Sequence, residues 1–399
     1  MSLEKLTSGM TNPGEVLKKM QEMKSSTIKK FLFVAIFIAI FGIVWYVKIQ
    51  INKKDDNDAD MEMVYNDLPI SLGPIHKDDA RFTTSKTGTS KGLLRDYFIS
   101  SSYNSCCAGD FVNSYVSINP LKEVLAQGVR VLDFALYSIN GKIVVGAGDT
   151  DSDNIKGTYN ALPLNGDEGV FDTINSYAFS HPCPNPTDPL FLNFRIKSTV
   201  RPNNFYRQLT EHVKNSFGGR TLSPEYGFEG RHNKSGGINL IREPILNLKN
   251  KVIIMCYQDS NNFRGTDFEE LVNIASSGSP FLKSKKDYDI RFTHDALVLT
   301  DFNKKNMTIS MPDLSALTDN MGAELHMKYG CQMILMNWSN YDSNMEFYRQ
   351  TFIDEGSAFV LKPEDKRYKL VTVETPPPQD PNVSYAKKPI DLPMYKKHI

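Results

Sequence analysis

Apolar and polar positions divide the chain into three regimes. FLFVAIFIAIFGIVWYV (31–47) is seventeen uninterrupted apolar residues, extended past Lys48 by Ile49 and Ile51. At 1.5 Å per residue such a helix just crosses a hydrocarbon core of about 30 Å, so 31–51 reads as a transmembrane helix. It is apolar all round, unlike a core helix beside charged flanks. A cleaved signal peptide is disfavoured, because thirty residues precede the run and no small-residue cleavage site follows. Residues 1–30 are polar, with Val16, Leu17, Met20, Met23 and Ile28 at roughly helical spacing among lysines. They fit a juxtamembrane helix on an anionic membrane face or a solvated tail. After the span, KKDDNDADMEM (53–63) and TTSKTGTSKG (83–92) make 52–92 a charged and polar tether.

From Leu93 the pattern changes to β-rich apolar runs alternating with helical periodicity, which predicts an α/β fold with a parallel sheet. YFISSSYNSCCAGD (97–110), QGVRVLDFALYS (127–138) and GKIVVGAGD (141–149) each read as a buried strand running into a polar turn. Further strands are expected in LFLNFRIKS (190–198), NLKNKVIIMCYQD (247–259), ALVLTDF (296–302) and GCQMILMNW (330–338), with a last one before Pro363. Helices are expected at 169–182, 205–219, 268–276 and at the start of 343–364. The folded body spans 93–365. The tail, 366–399, is Pro-rich and extended, a peptide ligand for a protein partner or a strap across the body.

Charge and cysteine content narrow the classes. The chain has 46 basic and 46 acidic residues, which gives no electrostatic reason to expect nucleic acid. Five cysteines (106, 107, 183, 256, 331) match neither a zinc spacing nor C-x-x-C, and read as buried thiols. GDTDSDN (148–154) copies the opening of a calcium loop but lacks its Gly and closing Glu, so a solvated acidic loop is favoured over a weak surface ion site. Six lysines precede the span against Lys48, Lys53 and Lys54 after it, favouring a cytosolic N-terminus and a body on the lumenal or exterior side. Four N-x-[ST] sequons (Asn233, Asn306, Asn337, Asn382) permit this, although Asn337 falls in an expected core strand.

At SSSYN, GVRVLDFA, GAG, LFLNFR, GCQMILMN and VLKP the body resembles the catalytic domain of phosphoinositide-specific phospholipase C, in both its X and Y halves. The resemblance covers about 93–365 and implies a TIM-type (β/α) barrel with its site at the C-terminal ends of the strands. It implies a mechanism in which calcium, held by Asn and acidic side chains, activates the inositol 2-hydroxyl while two histidines stabilise the transition state and protonate the leaving group. Here the first histidine position holds Tyr103 and the second Gly146. Asn104 is kept, Asp133 stands where Glu is usual, Ala135 takes the second acidic position, and Arg195 replaces the last carboxylate. Arg195 is therefore expected to pair with Asp133 and exclude calcium. The seven histidines include none at a motif position; His294 comes nearest in sequence.

These replacements imply no cofactor and an anchored pseudoenzyme, a scaffold or assembly module of an internal or viral membrane. Two alternatives stay open: a calcium-independent phosphodiesterase using Tyr103, Asp133 and Arg195, and a lipid-headgroup binder that does not hydrolyse.

Overall fold

A computed structural model of the chain describes residues 25–83, 92–109, 114–148, 155, 160–197, 204–230, 239–257, 262–276, 280–313, 319–369, 387 and 389–398. The first helix, α1 (Ser25–Asn66), is followed by strands β1 (Tyr97–Ile99), β2 (Val131–Ile139), β3 (Lys142–Val145), β4 (Leu162–Pro163), β5 (Leu190–Ile196) and β6 (Val252–Tyr257). Next come β7 (Val272–Ala275), β8 (Leu282–Lys286), β9 (Met307–Met311), β10 (Met333–Ile334) and β11 (Phe359–Leu361). Between them lie α2 (Ile118–Ala126), α3 (Val170–Tyr177), α4 (Phe205–Phe217), α5 (Asp287–Arg291), α6 (Ala296–Lys305), α7 (Ala323–Lys328) and α8 (Ser343–Glu355). A hairpin of β12 (Pro389–Leu392) and β13 (Tyr395–His398) lies in the tail.

Parallel strands in two sheets follow chain order. Parallel ladders join β2–β5, β5–β6 and β6–β7 on one side and β8–β9, β9–β10 and β10–β1 on the other. A parallel bridge of Ser101 with Val131 joins the two sheets, Ser102 N–H donating to Val131 O at 2.9 Å. That is the strand order of a (β/α) barrel. No ladder between β7 and β8 occurs among the described residues.

Alternation along the strands sorts two cores. Phe191 belongs to one apolar cluster with Ile99, Val131, Ile253, Ile309 and Met333, the inward positions of their strands. Leu190, Leu192 and Phe194 belong to another, shared with the helices. All five cysteines are buried free thiols, as expected.

Several expected elements differ. ALVLTDF is the helix α6, capped by Asp295, whose side chain accepts from the Leu297 and Val298 N–H groups; a short apolar run does not separate helix from strand by itself. Residues 272–275, inside the expected helix 268–276, are β7, and the strand after α6 is β9. GKIVV forms β3, which is antiparallel to β2 and outside the ring. The expected last strand, β11, is antiparallel to β1. The loop 149–154 and most of the tail lie outside the described residues.

The largest difference is at 52–92. α1 runs unbroken through Lys53–Asn66, burying Met61 and Tyr65 against the body. Tyr65 Oη donates to Trp338 O at 2.7 Å, and Ser117 Oγ donates to Asp58 Oδ2 at 2.6 Å. Beyond it the chain crosses the N-terminal ends of the strands. Ile75 N–H donates to Asp188 Oδ1 at 2.8 Å, and Phe82 stacks on Tyr97 at 5.6 Å between centroids. Residues 52–83 are thus a docked strap, not a tether. The acidic run reads as solvated because its buried residues, Asp58, Met61 and Tyr65, are isolated and about one turn apart.

Candidate functional site

The C-terminal ends of β1, β2 and β5 bring together the residues singled out from the sequence. Ladder register sets Asp133 beside Asn193 and Ala135 beside Arg195. Positions 131, 133 and 135 and 191, 193 and 195 all face inward, so the interior changes from apolar Val131 and Phe191 to polar groups toward the mouth. After β1 the chain turns through Asn104, whose φ of 42° lies in the left-handed region that Asn tolerates. The turn aims Asn104 N–H at Asp133 Oδ2 (3.1 Å) and Ser105 N–H at Asp133 O (2.9 Å).

Arg195 fills the space between them. Its Nε lies 3.0 Å from both Asp133 carboxylate oxygens and its Nη2 2.8 Å from Oδ2. Nη1 donates to Tyr103 Oη at 3.1 Å, Nη2 donates to Asn104 Oδ1, and the guanidinium carbon sits 4.5 Å from the centre of the Tyr103 ring. Asn193 Nδ2 donates to Asp133 Oδ1 at 2.7 Å. Asp133 is 0% exposed and Arg195 4%.

A carboxylate offers roughly four lone-pair sites, and here Asn193, Asn104 and two guanidinium nitrogens occupy them. Burial alone would lower the Arg195 pKa, but the charge of the adjacent Asp133 carboxylate and its hydrogen bonds outweigh it and hold the guanidinium above its ordinary range. Burial pushes the Tyr103 phenol up to about 12, with Arg195 pulling the other way.

Gly146 N–H donates to Ala135 O at 3.1 Å, placing it beside this cluster. A Cβ there would meet Ile155 Cγ2 at 3.0 Å and Tyr137 Cδ2 at 3.3 Å, so any side chain at this position would press on both neighbours. Asn193, Ser105, Tyr137 and Ile155 escaped sequence reasoning. Asn193 carried a signal, since it lies two positions before Arg195 on one strand face.

Residues 91–255 match the family model for phosphatidylinositol-specific phospholipase C, X domain. The chain carries a phospholipase C X-like domain. Its fold resembles crystal structures of PLC21 from L. pealei (TM-score 0.55, 18% identity) and S. officinalis (TM-score 0.52, 17% identity). The similarity covers 74% and 72% of this chain, extending past the X region, but only 40% and 39% of the PLC21 chains. None of the curated proteins matches the chain.

The calcium implied by that family does not fit the donor set present. One carboxylate remains, its lone pairs are engaged, and a guanidinium occupies the adjoining space. Among the described residues no three His, Cys, Asp or Glu side chains converge as a metal site.

A Ser–His–Asp chain exists elsewhere. His326 Nδ1 is 2.9 Å from Ser310 Oγ and Nε2 2.9 Å from Asp287 Oδ1. Ser310 is 0% exposed and alternates with inward Ile309 and Met311, so it faces the helical layer and ties α7 to β9. No substrate reaches it. His294 is exposed, just before α6.

Proposed function

We propose that this protein is a single-pass, membrane-anchored phospholipase C-like module whose barrel neither binds calcium nor hydrolyses phosphoinositides, and which acts as a scaffold for binding or assembly. The observation that carries the reading is the saturated, buried Asp133–Arg195 pair where the family resemblance puts the metal. Calcium could enter only by breaking that pair and leaving a buried guanidinium unpaired. Loss of both histidine positions removes the groups that would move protons, each typically worth about 10²–10⁴ in rate.

The anchor reading rests on α1, which includes an 18-residue window of mean hydropathy 2.5 with none of it buried. The lysine distribution favours a cytosolic N-terminus, with the body beyond the membrane and its tail hairpin offering exposed Met394 and Tyr395 to a protein partner. The alternatives fare less well. The phenol of Tyr103 is too weak an acid for a calcium-independent phosphodiesterase, and all three Arg195 nitrogens are engaged, which weighs against a phosphate grip in the barrel.

The test is headgroup release from phosphoinositide vesicles by the folded full-length chain, with calcium and then with chelator. No release above blank is expected in either condition. Release that requires calcium, or release under chelator that is lost in Asp133→Ala, would overturn the proposal.

A further inference from the structure

Among the described residues of 93–369, five large apolar side chains are exposed, and four of them fall between 288 and 298. Tyr288, Phe292, Leu297 and Val298 are 59–77% exposed, while the fifth, Phe347, lies apart on α8. The rings of Tyr288 and Phe292 pack together, 4.6 Å between centroids. Leu297 and Val298 lie on the solvent side of α6, away from its buried Leu299 and Asn303. Because α5 begins where β8 ends, the four residues sit toward the mouth end of the barrel, on α5 and the first turn of α6. Such a concentration of exposed apolar side chains marks an interaction surface.

The nearest candidate to cover it is the chain's own tail. From the mouth, α6 runs back to the opposite face, where Lys305 O accepts from Arg95 Nη1 at 3.0 Å. The turn Glu364–Lys366 packs against α6, and the Tyr368 ring lies 5.1 Å from the Arg95 guanidinium carbon. The chain therefore passes Lys369 beside the last turn of α6. The residues that follow, LVTVETPPP (370–378), lie outside the described residues.

The length and chemistry of this segment match the exposed surface, read upward from Lys305. Leu297 and Lys305 are eight residues apart on α6, about 12 Å along its axis. An extended chain covers that distance in four residues at about 3.3 Å each. Leu370, Val371 and Val373 thus come level with Leu297 and Val298, and Pro376, Pro377 and Pro378 follow toward Tyr288 and Phe292. Proline runs favour the polyproline II conformation and dock on exposed aromatic rings. Attachment at Lys369 makes the encounter intramolecular, so a contact too weak to hold a free peptide suffices.

We propose that residues 370–378 bind along the outer face of α6 and over the Tyr288–Phe292 pair, strapping the tail to the body. The contact depends on neither the membrane anchor nor the barrel cluster.

The test uses the full chain in nanodiscs with the photo-crosslinker benzoylphenylalanine in place of Leu297 and, in a second preparation, of Phe292. After irradiation, monomer is separated from larger species and the joined peptides are read by mass spectrometry. Cross-links within the monomer are expected, from position 297 to 370–374 and from position 292 to 375–378. Pro376→Ser/Pro377→Ser/Pro378→Ser should lower the second severalfold with melting temperature unchanged. The same probe in place of Phe347 should not reach 370–378.

Cross-links found only in a dimer would put a second copy on the surface, and lipid adducts without tail peptide would put the bilayer there. Either result overturns the proposal. So do cross-links to no part of 370–378, yields untouched by the serine changes, or equal capture of the tail from position 347.

Discussion

Asp133 and Arg195 depend on each other because neither has water to fall back on. Removing one partner of a buried pair leaves an uncompensated charge, typically about 3–5 kcal/mol, whereas replacing both with apolar groups of similar volume costs much less. Asp133→Ala should therefore destabilise the fold by about that amount, while Asp133→Leu/Arg195→Met should recover most of it in chemical denaturation. A double variant as unstable as the sum of the two singles would show that the pair is not a unit. A second buried charge marks the opposite face. Lys362, in the VLKP segment, donates to Asn303 O at 2.8 Å, and burial pushes its ammonium down to about 7, against the pull of Asp96 and Cys331. The unfolded lysine titrates near 10.5, so between pH 7 and 10.5 the unfolded chain holds more protons and stability rises with pH. Relative to Lys362→Met, the wild type should gain stability across that window and show a constant difference below it, measured by urea unfolding at several pH values. A pH-independent difference would place the lysine in contact with water.

At the scale of elements, the docked part of α1 separates this chain from a barrel on a loose leash. Tyr65 is 2% exposed, lies 5.6 Å from Trp338 between ring centroids and hydrogen-bonds the Trp338 carbonyl. Tyr65→Ala should cost about 3–5 kcal/mol in a 52–399 fragment. An unchanged transition midpoint would return 52–66 to a tether. Legibility followed the strength of local patterns. β2, β5 and β6 and helices α3, α4 and α8 were visible because long apolar runs and 3.6-residue periodicity leave little choice. The reversal at 268–305 arose because VNIA and ALVLTDF are both short and apolar, and only the Asp295 cap and the ladder to β6 separate helix from strand. The tether reading failed for another reason: tertiary burial of isolated residues in a charged run leaves no local trace. Tyr103, Asn104, Asp133, Ala135, Gly146 and Arg195 were singled out by motif position, and the structure brings them together. What could not be read was how fully Asn193 and the Asn104 turn satisfy Asp133, a property of register and turn geometry.

For the whole molecule, a mainly parallel α/β body, one apolar helix and a closed mouth combine into a single proposal: the body serves as a scaffold while the place where the resemblance implies a metal is filled by an internal cation. Calcium titration of the full chain by calorimetry, on protein shown to be folded, tests that most directly. The account predicts no saturable heat at micromolar calcium and no rise in melting temperature on adding it. Stoichiometric micromolar binding that disappears in Asn104→Ala, a variant that keeps the Asp133–Arg195 pair, would contradict it by showing that the mouth still opens to a metal.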